Sequence, residues 1–131
     1  MLDVEVIGIE AVVDGGPAAV ELEQLCALAL SSAGIEDGHV AIEFVDEERI
    51  RELNRRWRGI DAPTDVLSFG IDEDGEPIGP RELGDIVICP PRTEDLREAV
   101  VHGALHLTGM DHETDEGEML ALQAELMRWV S

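Results

Sequence analysis

Lysine is absent from this chain of 131 residues, and its nine basic residues, all arginine, face 30 aspartates and glutamates, for a formal net charge of −21. Such a balance opposes non-specific attraction to nucleic acid, because that affinity comes largely from neutralising phosphates. Charge alone therefore argues against an RNA or DNA partner. The arginines are not spread evenly, however, since five of the nine lie within residues 49–58.

This arginine cluster consists of Arg49, Arg51, Arg55, Arg56 and Arg58. One interpretation is an ordinary solvated helix face, on which the arginines form ion pairs with Glu47, Glu48 and Glu52. The other is a local positive surface that offsets the net charge of the chain. Composition does not decide between the two.

Cysteine and long apolar runs are also scarce. Cys26 and Cys89 are too few for a disulfide framework and lack zinc-ribbon spacing, so we expect two reduced and mostly buried thiols. The longest plainly apolar stretch, CALAL at 26–30, is far too short for a membrane span. The first residues, MLDVEVIGIE, lack the features of a signal peptide. We therefore expect a cytoplasmic protein with no membrane partner.

The remaining pattern predicts one compact α+β domain over residues 1–131, with a small mixed sheet of about four strands flanked by about four helices. Alternating or β-branched segments predict strands at 3–9, 39–45, 65–69 and 83–89. Periodic segments predict helices from Pro17 to about Ala33, from an Asp46 cap to about Trp57, and from a Thr93 cap to about Gly109. A last helix carries Met119, Leu122, Leu126 and Val130 at core spacing.

The most informative segment is HGALHLTGMDH at 102–112, which contains three of the four histidines. On a helix, His102 and His106 would point about 40° apart and lie about 6 Å apart along the axis, so both rings can reach one ion. Gly109 can end the helix and turn the chain so that His112 approaches as a third ligand. Three neutral imidazoles suit zinc and leave a fourth position for water, which is the arrangement of a catalytic site.

Metal-dependent proteases with this spacing carry a glutamate directly after the first histidine, where it moves the proton. This chain has Gly103 at that position, so peptide hydrolysis is disfavoured, although Asp111 or Glu113 could act from the turn. Phosphodiester cleavage needs a different helper, a cation that faces the negative charge of the transition state. The arginine cluster is the candidate for that role.

Three segments in order give a more specific indication. HGALHLTGMDH resembles the HGxLHLxGYDH signature of the YbeY family of bacterial rRNA maturation endoribonucleases. LNRRWRGIDAPTDVLSF at 53–69 resembles that family's LNxxYRxxDxPTDVLSF, and LGDIVIC at 83–89 also matches. The segment from Cys89 to His102 is shorter than in typical members.

The resemblance implies one zinc ion on His102, His106 and His112, with water as fourth ligand, and Arg58 as the arginine used in RNA cleavage. His102 and Arg58 are accordingly the candidate catalytic residues, and Arg55, Arg56 and Arg58 the candidate RNA-binding residues. The implied substrate is single-stranded ribosomal RNA, in 3′-end maturation of the small-subunit (16S) RNA and in ribosome quality control. The implied partners are the small subunit or its assembly factors.

Two other functions remain open from the residues. One is a metal-dependent hydrolase of a peptide or amide, which the glycine after His102 disfavours. The other is a non-catalytic ribosome-assembly factor with a structural metal, which the acidic composition and the short segment before His102 favour.

Overall fold

The structure is a computed structural model, and it describes residues 2–12, 16–70, 82–109 and 116–128. Its four strands are β1 (Leu2–Ile7), β2 (Gly38–Phe44), β3 (Val66–Gly70) and β4 (Glu82–Ile88). Its α-helices are α1 (Ala19–Ser32), α2 (Glu47–Arg58), α3 (Leu96–Leu107) and α4 (Glu118–Arg128). Short 3-10 turns lie at Ile9–Ala11 and Pro90–Arg92.

The sheet has the order β1-β2-β4-β3, in which β1, β2 and β4 are parallel and β3 is antiparallel to β4. α1 connects β1 to its parallel neighbour β2, as a parallel pair requires a crossover rather than a tight turn. β3 and β4 are consecutive in the chain and pair antiparallel, and the residues that connect them, 71–81, lie outside the described part of the chain. The predicted mixed α+β architecture is confirmed.

One face of the sheet is buried, and the other is covered only in part, since Asp3, Glu5 and Ile7 of β1 are exposed. α1, α3 and α4 bury one face, and the fully buried side chains of this larger core include Leu22, Ile42, Ile86, Leu105 and Met119. α2 covers the part of the other face that β3 and β4 form, with a smaller core whose buried members are Ile50, Leu67, Val87 and Cys89. Because neighbouring residues of a strand point to opposite faces, Leu67 packs toward α2 while Ser68 points toward α3.

The helix starts follow from local hydrogen bonding. The Asp46 carboxylate accepts from the backbone N–H of Arg49 at 2.8 Å, so the predicted cap of α2 is confirmed. The predicted Thr93 cap of α3 is wrong, because Asp95 accepts from the N–H groups of Arg97 and Glu98 instead. The Thr93 hydroxyl is engaged elsewhere, since it donates to the carbonyl of Cys89 at 2.8 Å.

Other predicted bounds shift by a few residues. α1 begins at Ala19 rather than Pro17, and β1 ends at Ile7, where the chain enters a 3-10 turn after Gly8. Met119 and Leu126 of α4 are buried as predicted, whereas Val130 lies outside the described residues. Across the described ranges, no helix combines the length and apolarity that crossing a bilayer demands.

Candidate functional site

Two of the three motif histidines meet on one side of α3. Nε2 of His102 lies 3.2 Å from Nε2 of His106, and the two rings stand nearly perpendicular, at 79°. The spacing of four residues produces this contact, because it brings the two side chains to the same face of successive turns. The predicted convergence of these two rings is therefore confirmed, whereas His112 lies outside the described residues.

The pair fits one edge of a tetrahedral zinc site. Two Zn–N bonds of about 2.0–2.1 Å at the tetrahedral angle place their nitrogens about 3.3 Å apart. The observed separation is 3.2 Å. Among residues 2–12, 16–70, 82–109 and 116–128, no three His, Cys, Asp or Glu side chains group together around a point that could hold a metal. The described part of the motif thus contains two imidazoles of the type and spacing that zinc ligands have.

The histidine pair opens into a cleft of about 1060 Å³ between α3, β3 and the C-terminal end of α2. Arg58 borders the same cleft as His102 and His106. Arg55 and Arg56 are exposed on α2 but do not line it. The sequence-predicted residues thus divide into a cleft set and an outer basic set.

Arg92 also lines the cleft, and it differs from Arg58 in its partners. Arg92 lies 3.2 Å from the Glu47 carboxylate, whereas Arg58 forms no ion pair with any residue that the structure describes. Of the pairs expected for a solvated helix face, Arg49 contacts Glu52 at 3.3 Å. Glu47 instead pairs with Arg92, so the helix-face interpretation holds for only part of the cluster. Arg58 is available for an anion in the cleft.

The loop that follows Arg58 is held by α2 itself. Gly59 ends the helix in the left-handed conformation at φ 72°, and the Asn54 side-chain amide donates to the carbonyl of Ala62 at 2.9 Å. Arg51 donates two hydrogen bonds to Asp61, at 2.9 and 3.2 Å. Hydrogen bonding to Arg51 also lowers the pKa of the Asp61 carboxyl, which stays ionised. These contacts fix the direction in which the chain leaves Arg58.

Gly103, which replaces the protease glutamate, lies against the sheet. A Cβ at this position would be 2.6 Å from Cγ2 of Ile86 and 3.1 Å from Oγ of Ser68. The Ser68 hydroxyl donates to the carbonyl of Gly103 at 3.0 Å across the same contact. Successive residues of a helix point about 100° apart, so this position faces β3 and β4 while His102 faces the cleft. A side chain here would therefore run into Ile86 and Ser68.

We expect Gly103→Ala to destabilise the protein by about 1–3 kcal/mol, since the added methyl group overpacks a contact with a buried strand. Urea unfolding measures the change. Gly70→Ala is the matched control, because the corresponding Cβ would meet nothing within 4 Å. Equal losses in the two variants would contradict the steric explanation.

Two contacts at the site have no counterpart in the sequence analysis. Oε1 of Gln123, on α4, lies 2.7 Å from Nδ1 of His102. Trp57, between the outer arginines and Arg58, is 65% exposed and contacts Phe69 with a ring-centroid distance of 5.9 Å. The exposed aromatic beside three arginines was visible in the sequence, but the partner of His102 was not, because it comes from a different helix.

The fourth histidine and both cysteines lie apart from the cleft. His39, at the start of β2, is 3.4 Å from Glu5 and does not line the cleft. Cys26 and Cys89 are both buried free thiols, as expected, and burial raises the pKa of Cys26 to about 12. Neither cysteine lines the cleft. Asp111 and Glu113 lie outside the described residues.

Comparisons with known proteins agree on one family. The family model described as Endoribonuclease YbeY matches residues 17–131. Endoribonuclease YbeY of Geobacillus thermodenitrificans is 45% identical over 128 residues, which covers 81% of this chain and 82% of the relative. Endoribonuclease YbeY of Rubrobacter xylanophilus is 44% identical over 113 residues, covering 82% of this chain and 81% of the relative.

A solved structure has a similar fold. The solution structure of TM1509 from Thermotoga maritima superposes with a TM-score of 0.53 at 27% identity and covers 94% of this chain and 85% of that one. Together with the match over residues 17–131 and the relatives at 44–45% identity, the shared fold leaves one conclusion: this chain belongs to the YbeY family.

Proposed function

We propose that this chain is a zinc-dependent endoribonuclease that cuts single-stranded RNA. The observation that carries the proposal is the pair of Nε2 atoms of His102 and His106, 3.2 Å apart, in a cleft that also contains Arg58, which pairs with no carboxylate of the described residues. The relatives named Endoribonuclease YbeY support the reaction class. The proposed third ligand is His112.

In the proposed mechanism, the histidines on one side of the cleft bind the metal and Arg58 on the other side binds the phosphate. A zinc ion, when bound, supplies a Lewis acid at the scissile phosphate. His102 and His106 would hold that ion through their Nε2 atoms, and imidazole ligands in the neutral form add no negative charge of their own to the metal. Arg58 stabilises the charge that develops on the phosphate oxygens, and its planar guanidinium suits two of them at once. The attacking oxygen is that of water or of the RNA 2′-hydroxyl.

The outer residues of α2 suit a single strand. Arg55 and Arg56 are exposed and adjoin Trp57, whose indole is 65% exposed. Proteins that bind single-stranded nucleic acid combine a basic track with aromatic rings on which bases stack. A strand that crosses this surface would reach Arg58 and then the cleft. The exposed arginines of α2 thus give RNA a local positive surface on a protein whose net charge is −21.

The proposed biological substrate is the 3′ region of the small-subunit (16S) ribosomal RNA, in maturation and ribosome quality control in the cytoplasm. The family resemblance supports this part of the proposal. The small subunit or its assembly factors are the proposed partners, and they would supply affinity that a strongly acidic protein lacks. Peptide hydrolysis is less well supported, because the base position of the protease motif is Gly103, packed against Ile86.

The test is a chelator-controlled RNA assay on the purified protein. We expect cleavage of a single-stranded RNA oligonucleotide to stop when the metal is chelated and to return when zinc is restored. A duplex of the same sequence should be cut far more slowly. Bound metal without any cleavage would favour the assembly-factor alternative, and turnover of a peptide library that stops with chelator would favour the hydrolase alternative.

A further inference from the structure

Gln123 is placed at the histidine site by the packing of α4. Its neighbours one turn away on the same helix, Met119 and Leu126, are both buried in the larger core with α3. Gln123 itself is partly buried and borders the cleft. The amide oxygen lies 2.7 Å from Nδ1 of His102. The packing of α4 in the core therefore places Gln123 beside His102, and this packing does not depend on the hydrogen bond between them.

This contact selects one tautomer of His102. An amide oxygen can only accept a hydrogen bond, so Nδ1 of His102 carries the proton and donates it. The neutral ring then has its lone pair on Nε2, the atom that faces His106 at 3.2 Å. A metal ligand needs that lone pair, and hydrogen bonding at the other nitrogen both orients the ring and fixes the tautomer.

The side-chain amide of Gln123 is uncharged, so it adds no charge to the cleft. Among the described residues, four carboxylates already line the cleft, those of Asp65, Glu94, Asp95 and Glu98. The arginines that line it in the described part of the chain are Arg58 and Arg92, and Arg92 is paired with Glu47. A carboxylate in place of the Gln123 amide would add negative charge directly behind a metal ligand. That charge would strengthen the hold on a cation but oppose a phosphate.

We propose that Gln123 is a positioning residue for the metal site, a neutral one that fixes the His102 tautomer without repelling a phosphate substrate. The inference rests on the proposed metal-dependent function and extends it to a residue of α4. Gln123 acts through His102 rather than through a contact of its own with substrate.

Metal affinity and RNA cleavage together test the proposal. Gln123→Leu removes the acceptor and is expected to weaken zinc affinity about 10–100-fold, measured by competition with a chromophoric chelator. Gln123→Glu keeps an acceptor, so zinc should bind at least as tightly as in the wild type while RNA cleavage falls about tenfold. Gln24→Leu is the matched control, because Gln24 is the other glutamine of the chain, is exposed on α1 and lies outside the cleft.

A second measurement follows the tautomer without metal. Long-range ¹H–¹⁵N correlation spectra of the metal-free protein should show His102 protonated at Nδ1 in the wild type and in Gln24→Leu, but shifted toward the Nε2-protonated form in Gln123→Leu. If Gln123 only stabilised the fold, Gln123→Leu would lower the melting temperature without changing the tautomer of His102.

Three results separate the possible failures. Zinc affinity of Gln123→Leu equal to wild type, or an unchanged tautomer, would overturn the positioning role. Wild-type cleavage rates in Gln123→Glu would overturn the argument from neutrality. A wild-type protein that binds no zinc would instead overturn the proposed function, and the inference with it.

Discussion

Replacing His102 by alanine is expected to abolish zinc binding and to lower RNA cleavage by a factor of about 10³ or more. A Lewis acid at a phosphoryl oxygen contributes several kcal/mol to the transition state. Each 1.36 kcal/mol corresponds to a factor of ten in rate, so a contribution of about 4 kcal/mol gives this loss. Metal content of the purified variant and single-turnover cleavage of a single-stranded oligonucleotide measure the two effects.

His106→Ala should show the same two losses, and the double variant should be no worse than either single one, because the two imidazoles act as a unit on one ion. His39→Ala is the matched control, since His39 contacts Glu5 and lies away from the cleft. Cleavage that persists in His102→Ala at the level of His39→Ala would show that the activity does not depend on this site.

The parts of the fold that the sequence predicted are those determined by local pattern. The four strands, the Asp46 cap and the pairing of His102 with His106 each follow from residues close together in the chain. A period of 3.6 residues is sufficient to bring two histidines four residues apart onto one face. The same reasoning failed at Thr93, because its hydroxyl is engaged by the carbonyl of Cys89 and leaves the cap to Asp95.

The parts that the sequence did not predict depend on contacts between distant elements. Gln123 reaches His102 across 21 positions of sequence, and only the packing of α4 on α3 places it there. From the motif alone, Gly103 shows only that the catalytic base of the protease motif is lacking at this position. The structure adds that this position faces Ile86 and has no room for a side chain. The position that lacks the glutamate is thus also a position of close helix–sheet packing.

Replacing Arg58 by alanine is expected to lower cleavage about 10²–10³-fold while leaving zinc content unchanged. Arg58 borders the cleft with both histidines, and no described carboxylate pairs with it. Its loss therefore removes the free cation that faces the phosphate, without removing a metal ligand. Arg58→Lys should recover only part of the rate, because an ammonium group keeps the charge but lacks the planar pair of donors.

Arg49→Ala is the matched control for this variant, since Arg49 lies on the same helix but contacts Glu52 at 3.3 Å and does not line the cleft. Single-turnover rates at saturating RNA separate a loss in the chemical step from a loss in binding. A defect of Arg58→Ala that disappears at high RNA concentration would assign this arginine to binding alone, together with Arg55 and Arg56. A defect that persists at saturating RNA would show that Arg58 acts in the transition state, where the charge on the phosphate is greatest. No other unpaired arginine of the described chain borders the cleft, so none could replace it there.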